Sequence, residues 1–153
     1  MRQLRLPTGA VLSFEVDMRD AVLVYCDGGS RGNPGPSAIG AVVLDPLTDP
    51  PETLATVSEA IGVATNNVAE YRALIAGLEA ATLLSRGAVE VRADSQLMIR
   101  QLEGSYRVKN AGLRPLWEQA RKLLLQFESV TLTHVPREEN VVADSLVNEA
   151  LDG

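Results

Sequence analysis

The feature of this sequence that most constrains its fold is a nearly continuous run of apolar, β-favouring residues, AVLVYCD at 21–27. A run of this kind is typical of a strand that other elements cover on both faces. The next ten residues, GGSRGNPGPS, contain four glycines and two prolines, a composition that favours turns with special backbone angles. The sequence therefore predicts a buried strand that ends at Asp27, in a sheet that carries helices on its faces.

Two further strand-like segments and a long helix follow this run. SAIGAVVLD (37–45) and TLATVSEAI (53–61) predict strands that complete an antiparallel meander. The segment TNNVAEYRALIAGLEAATLLSRG (65–87) predicts an amphipathic helix that Thr65 or Asn66 can cap and Gly87 can end. Its apolar side follows the helical spacing i, i+3, i+4, i+7 at Tyr71, Leu74, Ile75 and Leu78.

The rest of the chain alternates strands and helices. AVEVRAD (88–94) predicts a strand, SQLMIRQLEG (95–104) a short helix, and residues 113–127 a further helix with Pro115 in its first turn. SVTLTHV (129–135) predicts the last strand and ENVVADSLVNEALDG (139–153) the last helix. This order predicts an α/β fold with a five-stranded mixed sheet, formed by an antiparallel meander of three strands plus two parallel strands, with helices on both faces.

The length of 153 residues and the hydrophobic content of 46% suit one ordinary domain. Residues 1–20 have mixed polarity, and Leu12, Phe14 and Val16 alternate with polar neighbours. We predict that 1–20 are an N-terminal extension that can add an edge strand, and that 21–153 are the main domain. The apolar runs fall far short of the roughly 20 residues that a membrane span needs. No signal-peptide pattern follows the first residues, so we expect a cytoplasmic protein.

Cysteine count and charge narrow the function classes only slightly. The single cysteine, Cys26, excludes an internal disulfide and a cysteine-based zinc site, and its place in a strand is that of a small buried hydrophobe. The net charge of −6 argues mildly against nucleic acid as a ligand. If four acidic residues hold metal ions, however, 16 acidic residues remain against 14 basic ones, a balance of −2.

Four carboxylates are candidates for a metal site. Asp27 and Asp94 each end a predicted strand, and ligands of open α/β sheets gather at such carboxyl ends. Glu70 lies one turn into the long helix, on the side of the small residues Ala73 and Gly77, and Asp144 lies early in the last helix. Four acids at one edge of a sheet would repel one another unless a hard divalent cation such as magnesium held them.

Each of these acids also has an ordinary structural explanation when it is taken alone. Asp27 can form a turn, Asp94 can cap the helix that follows it, and Glu70 and Asp144 can be favourable charges near helix N-termini.

Five separated motifs resemble those of the ribonuclease H family, type 1, in the family's order and approximate spacing. They are CDGGSRGNPGPSAIGAV, ATNNVAEYRALIAGLEAA, VRADSQLMIRQLEG, RVKN and HVPREENVVADSL, and the resemblance covers residues 22–151. It implies an endonuclease that cuts the RNA strand of RNA–DNA hybrids with two Mg²⁺ ions, or Mn²⁺ in their place, and leaves 5′-phosphate and 3′-hydroxyl ends.

The resemblance also implies roles for individual residues. Asp27 would bridge the two ions, Asp144 would complete the one that activates the attacking water, and Glu70 and Asp94 would complete the other. The residues that would contact the hybrid in its minor groove, where ribose 2′-hydroxyls distinguish RNA from DNA, are Gly28, Asn33, Asn66, Asn67 and Gln96. The positions that would bind a phosphate of the DNA strand are Thr65 and Asn110. Thr65 and Asn66 can equally well be helix caps, and a capping role does not prevent them from binding the hybrid.

His134 is the only histidine, and the sequence leaves its role open. It faces the same side of the predicted strand as Val130 and Leu132, which favours an inward-facing histidine. The family, however, has a histidine near this place that helps to move protons or release product. The loop that follows, VPREEN, is less glycine-rich than in many relatives, and Pro136 should reduce its mobility.

The segment EGSYRVKN (103–110) stands where some bacterial relatives carry a basic protrusion. The contacts to the hybrid that such a protrusion makes must then come from Arg107, Lys109 and Arg114. We therefore expect weaker and more salt-sensitive binding of the hybrid. Trp117 is either a core residue, the preferred interpretation, or a platform against the DNA strand.

Two alternatives remain open at this point. The chain could be a nucleic-acid binding module on the same fold without turnover, or a nuclease that prefers double-stranded RNA or RNA–DNA junctions. The sequence predicts no membrane association and indicates no obligate protein partner.

Overall fold

The apolar run at 21–27 lies in the middle strand of a five-stranded sheet. The structure is a computed structural model that describes residues 2–5, 11–14 and 18–153. The strands are β1 (Arg2–Arg5), β2 (Val11–Phe14), β3 (Arg19–Ser30), β4 (Gly35–Asp45), β5 (Glu52–Ala64), β6 (Ser85–Ala93) and β7 (Ser129–His134). The helices are α1 (Asn66–Thr82), α2 (Gln96–Glu103), α3 (Arg114–Leu124) and α4 (Val141–Asp152), with a 3₁₀ turn at Arg137–Glu139 before α4.

The sheet has the order β5-β4-β3-β6-β7. β3 pairs antiparallel with β4, and β4 with β5, whereas β3 pairs parallel with β6, and β6 with β7. This confirms the predicted α/β class, with a meander of three antiparallel strands and two parallel strands. β3 and β4 are the most buried strands, because each has strands on both sides and helices on both faces.

Two glycines show how the helices approach opposite faces of the sheet. A Cβ on Gly77 of α1 would lie 2.9 Å from Cγ1 of Val24, and a Cβ on Gly40 of β4 would lie 2.4 Å from the carbonyl oxygen of Ala143 in α4. Ala41, next to Gly40, points instead towards Gly77, since successive residues of a strand face opposite ways. Helices therefore cover both faces, as predicted.

The larger hydrophobic core lies between the sheet and the helices α1, α2 and α3. Tyr71, Leu74 and Leu78 of α1 are among its most deeply buried side chains, as the helical spacing predicts. The Tyr71 hydroxyl donates a hydrogen bond of 2.6 Å to Oε1 of Gln101, so the polar end of this ring is satisfied inside the core.

Several predicted boundaries of elements differ from the structure. Gly87 does not end the long helix, which stops at Thr82, but lies inside β6, where a Cβ would be 2.1 Å from the carbonyl oxygen of Asp20. Glycine is needed there because β6 passes very close to the start of β3. The prediction that the helix 113–127 reaches Phe127 was also wrong, because α3 ends at Leu124 and Phe127 then turns into the core.

The N-terminal extension contains two short strands. β1 and β2 pair antiparallel with each other, with Arg2 opposite Phe14, and form a separate two-stranded sheet. Val16 lies outside the described residues. The division into 1–20 and 21–153 stays a prediction, although β3 already begins at Arg19. None of the helices in the described part of the chain has the length and apolar character needed to cross a bilayer.

Candidate active site

The first two acids of the candidate site come from neighbouring parallel strands. Cys26 of β3 pairs with Ala93, the last residue of β6, so Asp27 and Asp94 are the next residues of two strands in register. Asp27 does not end its strand as predicted. β3 continues to Ser30, because its antiparallel pairing with β4 persists after its pairing with β6 has stopped.

Glu70 reaches the same place because α1 begins very close to β3. Thr65 caps the helix by accepting a hydrogen bond of 3.2 Å from the Val68 N–H. A Cβ on Gly28 would lie 2.2 Å from the carbonyl carbon of Ala69 and 2.5 Å from the Glu70 nitrogen. Only glycine permits this approach, so Gly28 fixes the first turn of α1, and with it Glu70, against the strand that carries Asp27.

The three side chains form one acidic cluster. Asp27, Glu70 and Asp94 each offer a carboxylate oxygen, and these atoms all lie within 4.8 Å of one another. They line a cavity of about 550 Å³, and Asp144 from α4 lines it as well. Among the described residues Asp144 does not join the tight group of three, but its charge raises the pKa values of Asp27 and Asp94.

The electrostatics of this cluster are unfavourable without a cation. Burial, together with the negative charge of Asp94, raises the pKa of Asp27 to about 7. Burial and the charge of Asp27 raise the pKa of Glu70 well above its usual range. Burial also raises the pKa of Asp94, although the Arg137 guanidinium opposes this shift. Oxygen ligands with excess negative charge are the donor set that a hard divalent cation prefers.

One buried oxygen strengthens this interpretation. Oε2 of Glu70 is buried and has no hydrogen-bond partner within the described parts of the chain. An unpaired buried carboxylate oxygen is unfavourable, because its solvation is lost without replacement. A bound cation would supply the missing partner, so the residues present fit a divalent metal ion.

The residues that cap α2 and begin α4 show whether Asp94 and Asp144 have the ordinary structural roles that the sequence suggested. Ser95, not Asp94, caps α2, accepting a bond of 3.3 Å from the Met98 N–H. Asp144 does lie in the first turn of α4, where a negative charge is favourable. Helix capping therefore does not account for Asp94.

His134 is not an inward-facing histidine. It is the last residue of β7, its side chain is exposed, and it lines the same cavity as the four acids. The strand parity was misleading because β7 is an edge strand whose residues are largely exposed. A role in proton transfer or product release stays a prediction.

Only two of the seven predicted substrate-binding residues line this cavity. Gly28 and Asn66 line it. The remaining five positions are exposed and lie outside its lining: Asn33, Thr65, Asn67, Gln96 and Asn110. Asn110 accepts bonds from the backbone of Gly112 and Leu113, at 2.7 and 3.3 Å, and so stabilises its own turn before α3.

Asn33 and Asn66 connect the glycine-rich loop to the start of α1. Oδ1 of Asn33 accepts a bond of 3.1 Å from the Asn66 N–H, and Oδ1 of Asn66 accepts one of 2.9 Å from the Ser30 N–H. Both side-chain oxygens are therefore occupied. The Nδ2 groups of both residues make no hydrogen bond within 18–153, so each can donate to a ligand.

Sequence reasoning missed two arginines of the cavity. Arg137, in the 3₁₀ turn, lines it and lowers the pKa of Asp94. Arg31, in the glycine-rich loop, lines it on another side and forms an ion pair of 2.6 Å with Asp152 at the end of α4. A signal was available, since each is a cation inside a segment that the motifs already marked.

A second groove of about 570 Å³ is basic and lies around Trp117. Arg107, Lys109 and Arg114 line it with the tryptophan, which is half-buried and packs against the core. Nε1 of Trp117 donates a bond of 3.1 Å to the Gln101 carbonyl. The Arg114 and Arg121 guanidinium groups lie 5.7 and 5.0 Å from the ring centre. Since these arginines occupy the ring, the core interpretation of Trp117 is favoured over an open platform.

The chain is similar in sequence to known proteins over most of its length. The family model described as "Reverse transcriptase-like" matches residues 25–150. The "Ribonuclease HI" of Halobacterium salinarum is 44% identical over 146 residues, which cover 95% of this chain and 72% of that protein. The "Bifunctional protein Rv2228c" of Mycobacterium tuberculosis is 47% identical over 131 residues, 86% of this chain. The chain spans only 35% of the length of this mycobacterial relative.

One solved structure is directly relevant to ligand binding. LC11-RNase H1, solved in complex with an RNA/DNA hybrid, superposes with a TM-score of 0.78 at 41% identity. The match covers 86% of this chain and 96% of that one.

Proposed function

This chain belongs to the ribonuclease H family, and from that premise we propose that it is an endonuclease that hydrolyses the RNA strand of RNA–DNA hybrids with the help of divalent cations. The observation that carries the proposal is the meeting of Asp27, Glu70 and Asp94 within 4.8 Å, with Asp144 on the same cavity. The complex of LC11-RNase H1 with a hybrid supports the substrate class, because that protein is 41% identical to this chain.

The four acids would hold two Mg²⁺ ions, with Mn²⁺ as an alternative. When bound, the cations would supply the positive charge that a phosphodiester transition state needs and would make an attacking water more acidic. Asp27 would contribute to both ions, since its side chain interacts with those of all three other acids, Glu70, Asp94 and Asp144. The products would carry 5′-phosphate and 3′-hydroxyl ends.

The chain's own residues would bind and orient the hybrid around this cavity. Asn33 and Asn66 are held rigidly by their side-chain oxygens, which leaves their Nδ2 groups to donate to 2′-hydroxyls in the minor groove. Gly28, Asn67 and Gln96 would lie along the same groove. Thr65 and Asn110 would contact a DNA-strand phosphate through backbone or side-chain donors that their capping roles leave unused.

The basic groove gives the hybrid its second point of contact. Arg107, Lys109 and Arg114 are exposed and lie together, so they would attract the phosphates of the DNA strand. Three cations are a modest number, so the affinity should be low, and it should fall as salt is raised because phosphate contacts release counterions. His134, exposed on the rim of the acidic cavity, would help to move protons or release product.

A cleavage assay on matched duplexes tests the proposal. An RNA–DNA hybrid labelled on the RNA strand should be cut in Mg²⁺ and remain intact in a chelator, and mass spectrometry should find 5′-phosphate ends. A double-stranded RNA, a double-stranded DNA and a duplex with an RNA–DNA junction of the same sequence serve as competitors. Preferential cutting of the double-stranded RNA or of the junction would show that this duplex, and not the hybrid, is the substrate. Binding without any cutting would show that the chain is a binding module. The expected cytoplasmic location is part of the proposal and is tested by cell fractionation.

A further inference from the structure

Asn140 is a buried polar residue that joins α4 to the site end of the sheet. It lies between the 3₁₀ turn and α4, and it is only 1% exposed. Its Nδ2 group donates a hydrogen bond of 2.9 Å to the carbonyl oxygen of Cys26. Cys26 directly precedes Asp27 and pairs with Ala93, the residue before Asp94. The Asn140 side chain is thus anchored where the two parallel strands present their aspartates.

The side chain of Asn140 does not perform the usual task of an asparagine at a helix start. Asparagine is a preferred N-cap residue, and Thr65 and Ser95 do cap α1 and α2 with their side chains. Asn140 makes no side-chain capping bond to α4. Helix capping therefore does not explain why an amide is placed here.

The other end of the same amide is unsatisfied. Oδ1 of Asn140 is buried and has no hydrogen-bond partner among residues 18–153. Burying an acceptor without a partner is unfavourable, so an apolar residue of similar size would suit stability better. The bond to the Cys26 carbonyl is the one hydrogen bond that this side chain makes in the described part of the chain.

The backbone of Asn140 extends this connection to two cavity residues. Its N–H donates a bond of 3.0 Å to the Arg137 carbonyl, and its carbonyl accepts one of 3.1 Å from the Asp144 N–H. Arg137 and Asp144 both line the acidic cavity. A single residue therefore links the strand that carries Asp27 to the helix turn that carries Asp144.

We propose that Asn140 is a positioning residue whose bond to the Cys26 carbonyl holds Asp144 at the distance from Asp27 that binding of divalent cations requires. The inference rests on the proposed function of the acidic cavity. Removing a group that orients a metal ligand without touching the metal typically lowers metal affinity or activity 10- to 100-fold. Asn140 would act through Asp144 and Asp27 and would not touch the substrate.

Two variants and a matched control separate positioning from simple stability. Asn140→Leu keeps the approximate size of the side chain and removes both the bond to Cys26 and the unpaired acceptor. Asn140→Ala is the second variant, because leucine can fit the site poorly. Thr82→Val is the control, since it removes the hydrogen bond of 2.8 Å that a buried side chain, 7% exposed, donates to the Glu79 carbonyl, outside both the acidic cavity and the basic groove.

Calorimetric titration with Mn²⁺ and hybrid cleavage in Mg²⁺ give the decisive measurements. Both Asn140 variants should bind Mn²⁺ with a Kd raised about tenfold. In cleavage at fixed Mg²⁺ their kcat should fall while the KM for the hybrid stays the same, and Thr82→Val should change neither the Kd for Mn²⁺ nor kcat.

The possible failures are distinguishable. Wild-type Mn²⁺ affinity in both Asn140 variants, with the wild-type protein binding metal and cutting hybrid normally, would overturn the positioning role alone. A wild-type protein that binds no divalent cation and cuts no hybrid would overturn the proposed function, and the positioning role with it.

Discussion

Asp27 and Asp45 are two almost equally buried aspartates, 6% and 5% exposed, on neighbouring strands of the same sheet. Asp45 is the last residue of β4 and lies beside Arg19, the first residue of β3. It accepts a bond of 3.0 Å from the Arg19 guanidinium, and Glu52 lies 2.8 Å from the same group. Asp27, further along β3, has Glu70, Asp94 and Asp144 as its charged neighbours. The first acid is neutralised inside the chain, and the second is surrounded by further acids.

The pKa values of the two aspartates shift in opposite directions. The Leu47 backbone N–H and the Arg19 guanidinium lower the pKa of Asp45. Burial and the charge of Asp94 raise the pKa of Asp27 to about 7. The comparison teaches that burial alone does not identify a site. A buried acid that a cation of its own chain neutralises is part of the structure, whereas the four acids of the cavity keep an excess of negative charge even beside Arg137 and so favour a cation from outside the chain.

The largest expected effect comes from neutralising each aspartate in turn. Asp27→Asn should reduce kcat for hybrid cleavage about a thousandfold or more, the scale of losing a group that stabilises the transition state. The same change should raise thermal stability in chelator, because it removes one of several repelling charges. Asp45→Asn should lower stability and leave kcat unchanged, since it removes a partner of Arg19. Equal losses of kcat in the two variants would contradict the contrast between the two aspartates.

The second prediction concerns pH. In chelator, folded Asp27 binds a proton between pH 4 and 7 that the unfolded chain releases, because its pKa is raised from 3.8 to about 7. The free energy of unfolding should therefore fall as pH rises through this window, by up to about 4 kcal/mol at 1.36 kcal/mol per pKa unit. Glu70 and Asp94 act in the same direction. Urea unfolding at pH 5 and pH 8 measures the change.

Asp45 contributes almost no slope between pH 5 and pH 8 and therefore serves as the control in that experiment. Its pKa is lowered, so its contribution is present at neutral pH and is lost only as pH falls below about 4. The Asp27→Asn variant should show a smaller decrease between pH 5 and pH 8 than the wild type, and Asp45→Asn should retain the full decrease. A wild-type stability that rises between pH 5 and pH 8 in chelator would show that the acidic cluster is not strained.

Bound Mg²⁺ should relieve the electrostatic repulsion among the acidic residues of the cavity. A Mg²⁺ concentration about 100-fold above its Kd should stabilise the folded chain by ~2.7 kcal/mol, because the ion binds only the folded state. For a chain of this size the midpoint of thermal unfolding should rise by on the order of 5–10 °C. Differential scanning calorimetry at pH 8, with Ca²⁺-free Mg²⁺ and with chelator, measures the shift. Asp45→Asn should respond like the wild type and Asp27→Asn much less.

The smallest effect is expected from two glycines that allow close backbone contacts, Gly28 beside the acidic cavity and Gly87 against Asp20. Gly28→Ala should force α1 away from β3 and displace Glu70, whereas Gly87→Ala should strain the contact with Asp20 far from the cavity. Each should destabilise the chain by roughly 1–3 kcal/mol, the range for overpacking. Only Gly28→Ala should also lower kcat for hybrid cleavage at a temperature where both variants are folded. Similar kcat values for the two would show that Gly28 does not position Glu70.

Much of the fold could be predicted from the sequence because it depends on local patterns. The apolar run of β3, the spacing of Tyr71, Leu74 and Leu78, and the cap at Thr65 are properties of neighbouring residues, and the structure has all three. The helix was predicted to end at Gly87 because glycine often ends helices. That was wrong, since Gly87 is required by a contact with Asp20, which the local pattern does not contain.

The candidate site was predictable only in part. Asp27 and Asp94 could be placed together once two parallel strands were assumed, because residues after paired positions lie side by side. Arg137 and Asn140 were missed although the motif HVPREENVVADSL contains both, because no local pattern in this segment assigns either residue a contact with the acidic cluster or with β3. Each depends on contacts with β3 and β6 across more than forty positions of sequence.

By itself, the sequence determined the order of strands and helices, the glycine-rich turn after β3 and the identity of the acids. The strand pattern alone does not distinguish the aspartate of VYCD from that of VVLD, because both follow an apolar run, and only the family motif CDGGSRGNPGPSAIGAV marks Asp27. The tertiary structure alone decided that Arg19 neutralises Asp45 and that Asp27 meets three other acids. The reason is that secondary structure depends largely on neighbours along the chain, whereas charge pairing and pKa depend on distances that exist only after the sheet has formed.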